Sequence, residues 1–227
     1  MKKIGIIFAM KEELDELLKI VNIKNKYEIF DLTFFECISN ECELILVESG
    51  IGKVNSARCA QILIDNMKVD YVFNIGIAGS VSEKANIGDI VIADKLVQHD
   101  FDITGFNHEK GYIPNIGVYI PCDEYLVRLA SEINIVNKHI GTIASGDIFI
   151  TEERMSKKIR EKFNALAVEM EGASIAQVCY LSHIPFLIIR SISDSPNNNN
   201  VIDYESFKIS SSKVVANFMK ELLNKVV

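Results

Sequence analysis

Short apolar runs alternate with amphipathic stretches along the chain, a pattern typical of strands buried between helices. The predicted strands are residues 4–9, 27–38, 43–47, 70–75, 88–97, 139–144 and 186–192. The predicted helices are residues 12–20, 54–67, 123–132, 172–181 and 203–223. Strands 27–38 and 43–47 have the pattern of a meander, whereas most others are separated by helices. Together with the length, this predicts one α/β domain over residues 1–227.

Acidic residues stand where several of the predicted strands end. Glu169 and Glu171 follow one apolar run, Asp194 follows the next, and Glu13 comes shortly after the first strand. In open α/β sheets the ligand crevice lies beyond the carboxyl ends of the strands, so these acids are expected to converge there. Converging carboxylates suggest acid/base chemistry. Each acid taken alone is equally consistent with an ordinary helix first turn or N-cap.

Two glycine-containing loops, residues 49–53 and 74–80, also follow predicted strands. Their glycines permit tight turns or a close approach of backbone to a ligand, and we expect the two loops to share one crevice. The first loop is not a Walker A motif, because Val54 stands where serine or threonine is required. Asn55 likewise departs from the GxGxxG pattern. Phosphate binding by this loop is therefore not favoured.

A long irregular segment occupies residues 99–121. Loops of this length in a compact domain tend to be functional, so a lid or a subunit contact is expected here. His99, Asp100 and Asp102 offer possible metal ligands, but their spacing matches no distinct ligand pattern. We therefore favour a solvated or interface loop and predict no metal site.

The composition favours a small molecule as the ligand. A net charge of −7 and an isoelectric point near 5.2 argue against a nucleic-acid partner, whose recognition needs clustered lysine and arginine. No apolar run reaches the roughly 18 residues of a membrane helix, and the apolar start lacks the cleavage site of a signal peptide. The five cysteines form no CxxC pair, which fits reduced thiols and predicts a cytoplasmic protein.

A series of motifs spans nearly the whole chain: IGIIFAMKEEL, SGIGKVNSA, NIGIAGS, GDIVIAD, HDFDITGF, SGDIFI, VEMEGASIAQV and RSISD. In this order they resemble the nucleoside phosphorylase/hydrolase superfamily, and most closely its bacterial 5′-methylthioadenosine/S-adenosylhomocysteine nucleosidases. The resemblance implies a three-layer α/β/α fold around a mixed twisted sheet, and a homodimer. It also implies that neither a metal nor an organic cofactor is needed.

The resemblance implies catalytic roles for Asp194 and Glu13 and a substrate-binding role for Arg190. Asp194 would be the general acid that protonates adenine as it leaves, and Glu13 would activate the attacking water. Arg190 would help to order the side of the site on which this water lies. These residue types suit the chemistry, because cleavage of an N-ribosidic bond builds positive charge on the sugar and adenine leaves well only when protonated.

The remaining implied roles are in binding the nucleoside. Glu171 would hold the ribose hydroxyls while Met170 packs against the sugar, and Phe149 would stack on adenine. The substrate contacts would be completed by the Ile150 backbone, Gly79 and Ser193.

An apolar pocket for the 5′-alkylthio group, shared across the dimer, is implied as well. Its members in one subunit would be Met10, Ile51, Tyr204 and Phe207, and those from the neighbouring subunit would be Ile103, Phe106 and Pro114. The chain departs from the family pattern at Ile77, where a small hydroxyl residue is common, and at Tyr204, where phenylalanine is usual. These changes and the polar stretch 197–200, which predicts a mobile loop, leave turnover and substrate preference open.

Three functions remain in competition at the level of sequence. The first is hydrolysis of 5′-methylthioadenosine, S-adenosylhomocysteine or 5′-deoxyadenosine, with roles in methionine salvage and removal of S-adenosylmethionine by-products. The second is phosphorolysis, which needs an anion pocket rich in arginine. Of the five arginines only Arg190 lies at a strand end of the predicted site, and Glu13 would repel phosphate. The third is noncatalytic nucleoside binding, against which the joint presence of Glu13, Glu171 and Asp194 argues.

Overall fold

The fold is a mixed β-sheet with helices packed on both faces, which confirms the predicted three-layer α/β/α class. A computed structural model describes residues 1–39, 42–134, 137–195 and 200–226, apart from the side chains of residues 200–203. In this part of the chain no helix is long and apolar enough to cross a membrane.

The strands occupy most of the positions that the apolar runs predict. They are β1 (Lys2–Phe8), β2 (Asn22–Ile29), β3 (Leu32–Ser39), β4 (Cys42–Glu48), β5 (Tyr71–Ser80), β6 (Ile90–Gln98), β7 (Ile120–Pro121), β8 (Lys138–Ser145), β9 (Ala165–Glu169) and β10 (Phe186–Asp194). The main sheet runs in the order β10-β6-β8-β9-β5-β1-β4-β3-β2. Strand β10 also pairs with β5, so β10, β6, β8, β9 and β5 close on themselves, and β1 to β4 extend from this ring.

The helices cover the two faces of the sheet. They are α1 (Lys11–Leu18), α2 (Lys53–Asp65), α3 (Glu124–Ser131), α4 (Glu153–Phe163), α5 (Gly172–Leu181) and α6 (Asn200–Leu223). Helix α6 packs on α1 and on the central strands β10 and β5, whereas α2 packs on α5 across the opposite face. Because both faces are covered, strands such as β10 are buried along their whole length and read as almost continuous apolar runs.

Two predicted strands are wrong in extent. The single strand predicted over residues 27–38 is a hairpin of β2 and β3, which turns at Phe30 with a φ of 56°. Strand β5 runs on to Ser80 rather than ending at residue 75. The glycine-containing segment was expected to be a loop, but it pairs with β10 from Gly76 to Gly79, with a register shift between Ile192 and Asp194.

The chain near the C-terminus also differs from expectation. Helix α6 begins at Asn200, three residues before the predicted start. The predicted mobile loop at 197–200 lies outside the described residues except for Asn200, which belongs to the helix.

Candidate active site

A cavity of about 420 Å³ opens where β1, β5, β9 and β10 end. Helix α6 and the loops after β4 and β8 supply the rest of its wall. Its lining residues are Ala9, Met10, Glu13, Ile51, Ile77, Ala78, Gly79, Phe149, Val168, Glu169, Met170, Glu171, Ser193, Asp194, Tyr204 and Glu205. The acids predicted from the strand ends therefore share one site, as the position of crevices in α/β sheets suggests.

Glu13 is held on the cavity wall by backbone donors. Its Oε2 accepts hydrogen bonds from the N–H groups of Ala9 and Met10, both at 3.0 Å, and its Oε1 accepts one from Ile77, also at 3.0 Å. A Cβ at Gly76 would come within 2.4 Å of Glu13 Oε1, so only glycine leaves room for this carboxylate. Burial raises the pKa of the Glu13 carboxyl, against the opposing effects of the Arg190 charge and the three donors.

An ion pair joins Glu169, which lines the cavity, to the buried Arg190, which does not line it. Arg190 is 1 % exposed and also donates to the side chain and backbone oxygens of Asn74. Glu169 Oε2 accepts from the backbone N–H groups of Glu171 and Gly172 at 3.1 and 2.7 Å. The pair therefore fixes the turn between β9 and α5, on which Glu171 stands.

Glu171 is the N-cap residue of α5 and is 5 % exposed. Its Oε1 accepts a hydrogen bond from the Gly52 N–H at 2.8 Å, which comes from the loop between β4 and α2. Burial and the neighbouring Glu169 raise the pKa of the Glu171 carboxyl to about 8, although the Arg190 charge and the Gly52 N–H oppose the rise.

Asp194 ends β10 on the side of the cavity formed by β5. It is 2 % exposed, and its Oδ1 accepts a hydrogen bond from Ser193 Oγ at 2.7 Å. A Cβ at Gly79 would meet Asp194 Oδ2 at 3.1 Å, so the glycine permits close packing of the carboxyl against β5. The site thus has one carboxyl at the end of β10 and others near the ends of β1 and β9.

The outer part of the cavity is apolar and partly open. The rings of Phe149 and Tyr204 meet edge to face with centroids 5.7 Å apart, and Tyr204 Oη donates to Met10 Sδ at 3.1 Å. Phe149 is 45 % exposed and Ile51 is 53 % exposed. A flat, apolar group therefore finds an aromatic face here, next to a wall that solvent reaches.

Most of the residues predicted for the site line this one cavity. They are Met10, Glu13, Ile51, Gly79, Phe149, Met170, Glu171, Ser193, Asp194 and Tyr204. Six others do not line it. Ile150 and Arg190 are buried, Phe207 is partly exposed on α6, and Ile103, Phe106 and Pro114 lie in the segment between β6 and β7. Their assigned roles stay predictions.

Sequence reasoning did not assign site roles to several residues of the cavity wall. These are Ala9, Ala78, Val168 and Glu205, and Ile77 was noted only as a departure from the family pattern. Glu169 was predicted to join the acids of the crevice, although no individual role was assigned to it. Small apolar residues in strands carry no distinguishing signal. Among the described residues, no three histidine, cysteine, aspartate or glutamate side chains are grouped to hold a metal ion.

The arrangement suits a reaction that develops positive charge in a dry cavity. Carboxyl groups surround the space. The buried Asp194 ends β10 and the buried Glu13 stands in the first turn of α1, so proton donation and water activation can occur on different sides of a ligand. The low exposure of these groups strengthens their electrostatic effect.

Comparison with known proteins gives a consistent result. The family model of the phosphorylase superfamily matches residues 3–224. An aminodeoxyfutalosine nucleosidase from Campylobacter jejuni is 39 % identical over 230 residues, with all of both chains covered. A 5′-methylthioadenosine/S-adenosylhomocysteine nucleosidase from Staphylococcus aureus is 36 % identical over 96 % of this chain and all of its own.

A solved structure agrees with the sequence relatives. The Streptococcus pneumoniae 5′-methylthioadenosine/S-adenosylhomocysteine nucleosidase, with a transition-state inhibitor, superposes with a TM-score of 0.95. It is 38 % identical in sequence, and the match covers 99 % of this chain and all of that one. The resemblance drawn from the motifs is therefore confirmed over almost the full length.

Proposed function

This chain belongs to the phosphorylase superfamily, and from that premise we propose that it hydrolyses the N-glycosidic bond of 5′-substituted adenine nucleosides to release adenine. A nucleosidase activity follows from its relatives. The observation that carries the finer proposal is the convergence of Glu13, Glu171 and Asp194 on one cavity with an aromatic face at Phe149.

In the proposed reaction Asp194 protonates the adenine ring while the bond to ribose breaks. Glu171 accepts hydrogen bonds from the ribose hydroxyls, and Phe149 stacks on the base. Glu13 takes a proton from the water that attacks the sugar, while the surrounding carboxylates stabilise the positive charge that develops. Arg190 does not line the cavity, but its charge favours the ionised form of Glu13.

The charge of the cavity wall supports hydrolysis over phosphorolysis. Among the described residues, no lysine or arginine lines the cavity, and Arg190 is already paired with Glu169. Phosphate would need several cationic donors and would meet the Glu13 carboxylate instead. Water needs only a base, which Glu13 supplies.

For the substrate, we propose 5′-methylthioadenosine, S-adenosylhomocysteine and 5′-deoxyadenosine, with aminodeoxyfutalosine as a further candidate. The apolar wall formed by Met10, Ile51 and Tyr204 suits a 5′-alkylthio group. Relatives of similar identity carry the names of both activities, 5′-methylthioadenosine/S-adenosylhomocysteine nucleosidase and aminodeoxyfutalosine nucleosidase. The corresponding roles would be methionine salvage and by-product removal in the cytoplasm.

The test is to incubate the purified protein with 5′-methylthioadenosine, with and without phosphate, and to identify the sugar product by mass. We expect adenine and free methylthioribose in both buffers. A sugar 1-phosphate formed only with phosphate would instead establish phosphorolysis. Parallel reactions with S-adenosylhomocysteine, 5′-deoxyadenosine and aminodeoxyfutalosine, compared as kcat/KM, rank the substrates.

Noncatalytic binding is the remaining alternative, and Ile77 is the feature that favours it. Its side chain is 8 % exposed on the cavity wall, where it offers no hydrogen bond to a water or a sugar. A nucleoside that binds but stays intact in the assay would support this alternative. An Ile77→Ser variant that then gained turnover would identify the missing hydroxyl as the cause.

We also propose that the active form is a homodimer whose subunits share the site. Phe106 is 79 % exposed, Val54 is 79 % exposed, and the cavity mouth carries the partly exposed Ile51 and Phe149. Covering these apolar side chains with Ile103, Phe106 and Pro114 of a second copy would close the open side. Light scattering of the active protein is expected to give twice the chain mass, and a fully active monomer would refute the shared site.

A further inference from the structure

Beside the cavity, one carboxylate ties together two loops that are distant in sequence. Asp100 follows β6, and its Oδ1 accepts a hydrogen bond from Lys53 Nζ at 2.7 Å. Its Oδ2 accepts a hydrogen bond from the Asp147 backbone N–H at 2.9 Å. Lys53 is the first residue of α2 and Asp147 follows β8, so Asp100 joins the ends of two separate loops.

The two loops are also bonded directly to each other. Asp147 Oδ1 accepts a hydrogen bond from the Lys53 backbone N–H at 2.8 Å, and Lys53 Nζ donates to Gln98 Oε1 at 3.2 Å. The side chains of Lys53 and Asp100 are only 19 and 16 % exposed. Such a pair is screened by salt much less than a surface pair, and its hydrogen bonds restrain both partners. We call Asp100, Lys53 and Asp147 the loop clamp.

The clamped loops carry parts of the cavity wall. Gly52, next to Lys53, donates its N–H to Glu171 Oε1 at 2.8 Å, and Ile51 lines the mouth. Gly52 has a φ of 101°, and a Cβ there would approach Asp147 Oδ1 to 3.2 Å. Phe149 stands two residues beyond Asp147. The position of the Gly52 N–H and of the Phe149 ring therefore depends on loops that the clamp joins.

We propose that Asp100 is a positioning residue for nucleoside binding, which acts through Lys53 and Asp147 to hold the Gly52 N–H against Glu171. The role rests on the proposed function for the identity of the ligand, since Glu171 is the carboxylate assigned to the ribose. Asp100 itself does not line the cavity, so it acts through the loops rather than on the substrate.

Loss of the clamp has a consequence that a general loss of stability does not. Burial is the largest cause of the raised pKa of Glu171. The negative charges of Glu169 and Glu13 raise this pKa further, whereas the Arg190 charge and the Gly52 N–H lower it. When the Gly52 donor moves away, the ionised carboxylate loses a partner. On the acid side of the pH profile, the pH at which kcat/KM reaches half its maximum is therefore expected to move upward.

The experiment compares Asp100→Asn with Asp31→Asn. Asp31 forms an ion pair with Arg58 that also joins two distant segments, but this pair is exposed and does not line the cavity. For Asp100→Asn we expect KM for 5′-methylthioadenosine to rise about tenfold, with a smaller change in kcat. A rise of this size corresponds to the loss of one charge-assisted hydrogen bond, the one from the Gly52 N–H to Glu171. Asp31→Asn is expected to match the unmodified protein.

Two further measurements separate positioning from general damage. Lys53→Met should reproduce the Asp100→Asn effect, and the double variant should be little worse than either, because both changes break one unit. Hydrogen exchange, which needs no substrate, should show faster exchange of the Gly52 and Lys53 amides in Asp100→Asn but not in the control Asp31→Asn.

The outcomes distinguish this proposal from the function on which it rests. Unchanged amide exchange, or faster exchange with unchanged KM and pH profile, would overturn the positioning role. Additive effects of the two clamp variants would do the same. If the unmodified protein neither binds nor cleaves the nucleoside, the proposed function fails, while the exchange comparison still decides whether Asp100 holds the loop.

Discussion

Replacing Asp194 with asparagine is expected to lower kcat for 5′-methylthioadenosine by about a hundred- to ten-thousand-fold, the usual contribution of a positioned general acid. Asparagine keeps the shape of the side chain and can still accept the hydrogen bond from Ser193 Oγ, so the geometry of the cavity wall is retained. It cannot protonate adenine. The variant is therefore expected to bind the nucleoside almost as well as the unmodified protein does. Calorimetry with the variant measures this affinity, because the bound nucleoside stays uncleaved.

The matched control is Asp65→Asn, which removes one negative charge from the exposed end of α2. Asp65 accepts a hydrogen bond from Gln61 at 2.8 Å and does not line the cavity. This variant should keep the activity of the unmodified protein. Near-normal turnover by Asp194→Asn would show that adenine is protonated by another group, and the assignment would then be wrong.

Replacing Glu13 with glutamine is expected to remove most hydrolysis, again by about a hundred- to ten-thousand-fold, because the base that activates water is lost. This change also has a structural cost. Both oxygens of Glu13 accept from backbone N–H groups, and the amide nitrogen of glutamine must face at least one of these donors. A buried group left without its partner costs about 1–3 kcal/mol, so the melting temperature should also fall.

Glu12→Gln separates these two effects. Glu12 is the neighbouring acid in the first turn of α1, where it is partly exposed. Its Oε1 lies 3.8 Å from Lys208 Nζ. The Glu12→Gln variant should retain the full activity and stability of the unmodified protein. The rate of Glu13→Gln must be measured well below its melting temperature and together with nucleoside binding. A variant that binds and also hydrolyses at the normal rate would move the water-activating role to another residue.

The elements of the fold follow largely from local patterns. Apolar runs predicted the strands because the sheet is covered on both faces, and amphipathic stretches predicted the helices. The error in the extent of β5 comes from non-local pairing. Strand β5 extends through Gly76 and Gly79 because β10 supplies hydrogen-bond partners at those positions, and no local propensity would predict a strand there.

Part of the candidate site could likewise be predicted from the sequence, and part could not. Glu13, Glu171 and Asp194 could be predicted as neighbours because each lies near the end of a strand or the start of a helix, and strand ends converge in this class of fold. The contacts that support them could not be predicted. The ion pair of Glu169 with Arg190 spans 21 residues, and the hydrogen bond from Lys53 to Asp100 spans 47.

The sequence by itself determined the class of fold, the family and the acids available for chemistry, because these depend on residue type, periodicity and order along the chain. The tertiary structure alone decided how each of those acids is held and how its charge is set. Glu171 illustrates the reason: its pKa of about 8 arises from burial, from Glu169 and from the opposing Arg190 and Gly52 N–H. These groups meet only when β4, β9 and β10 have taken their places in the sheet.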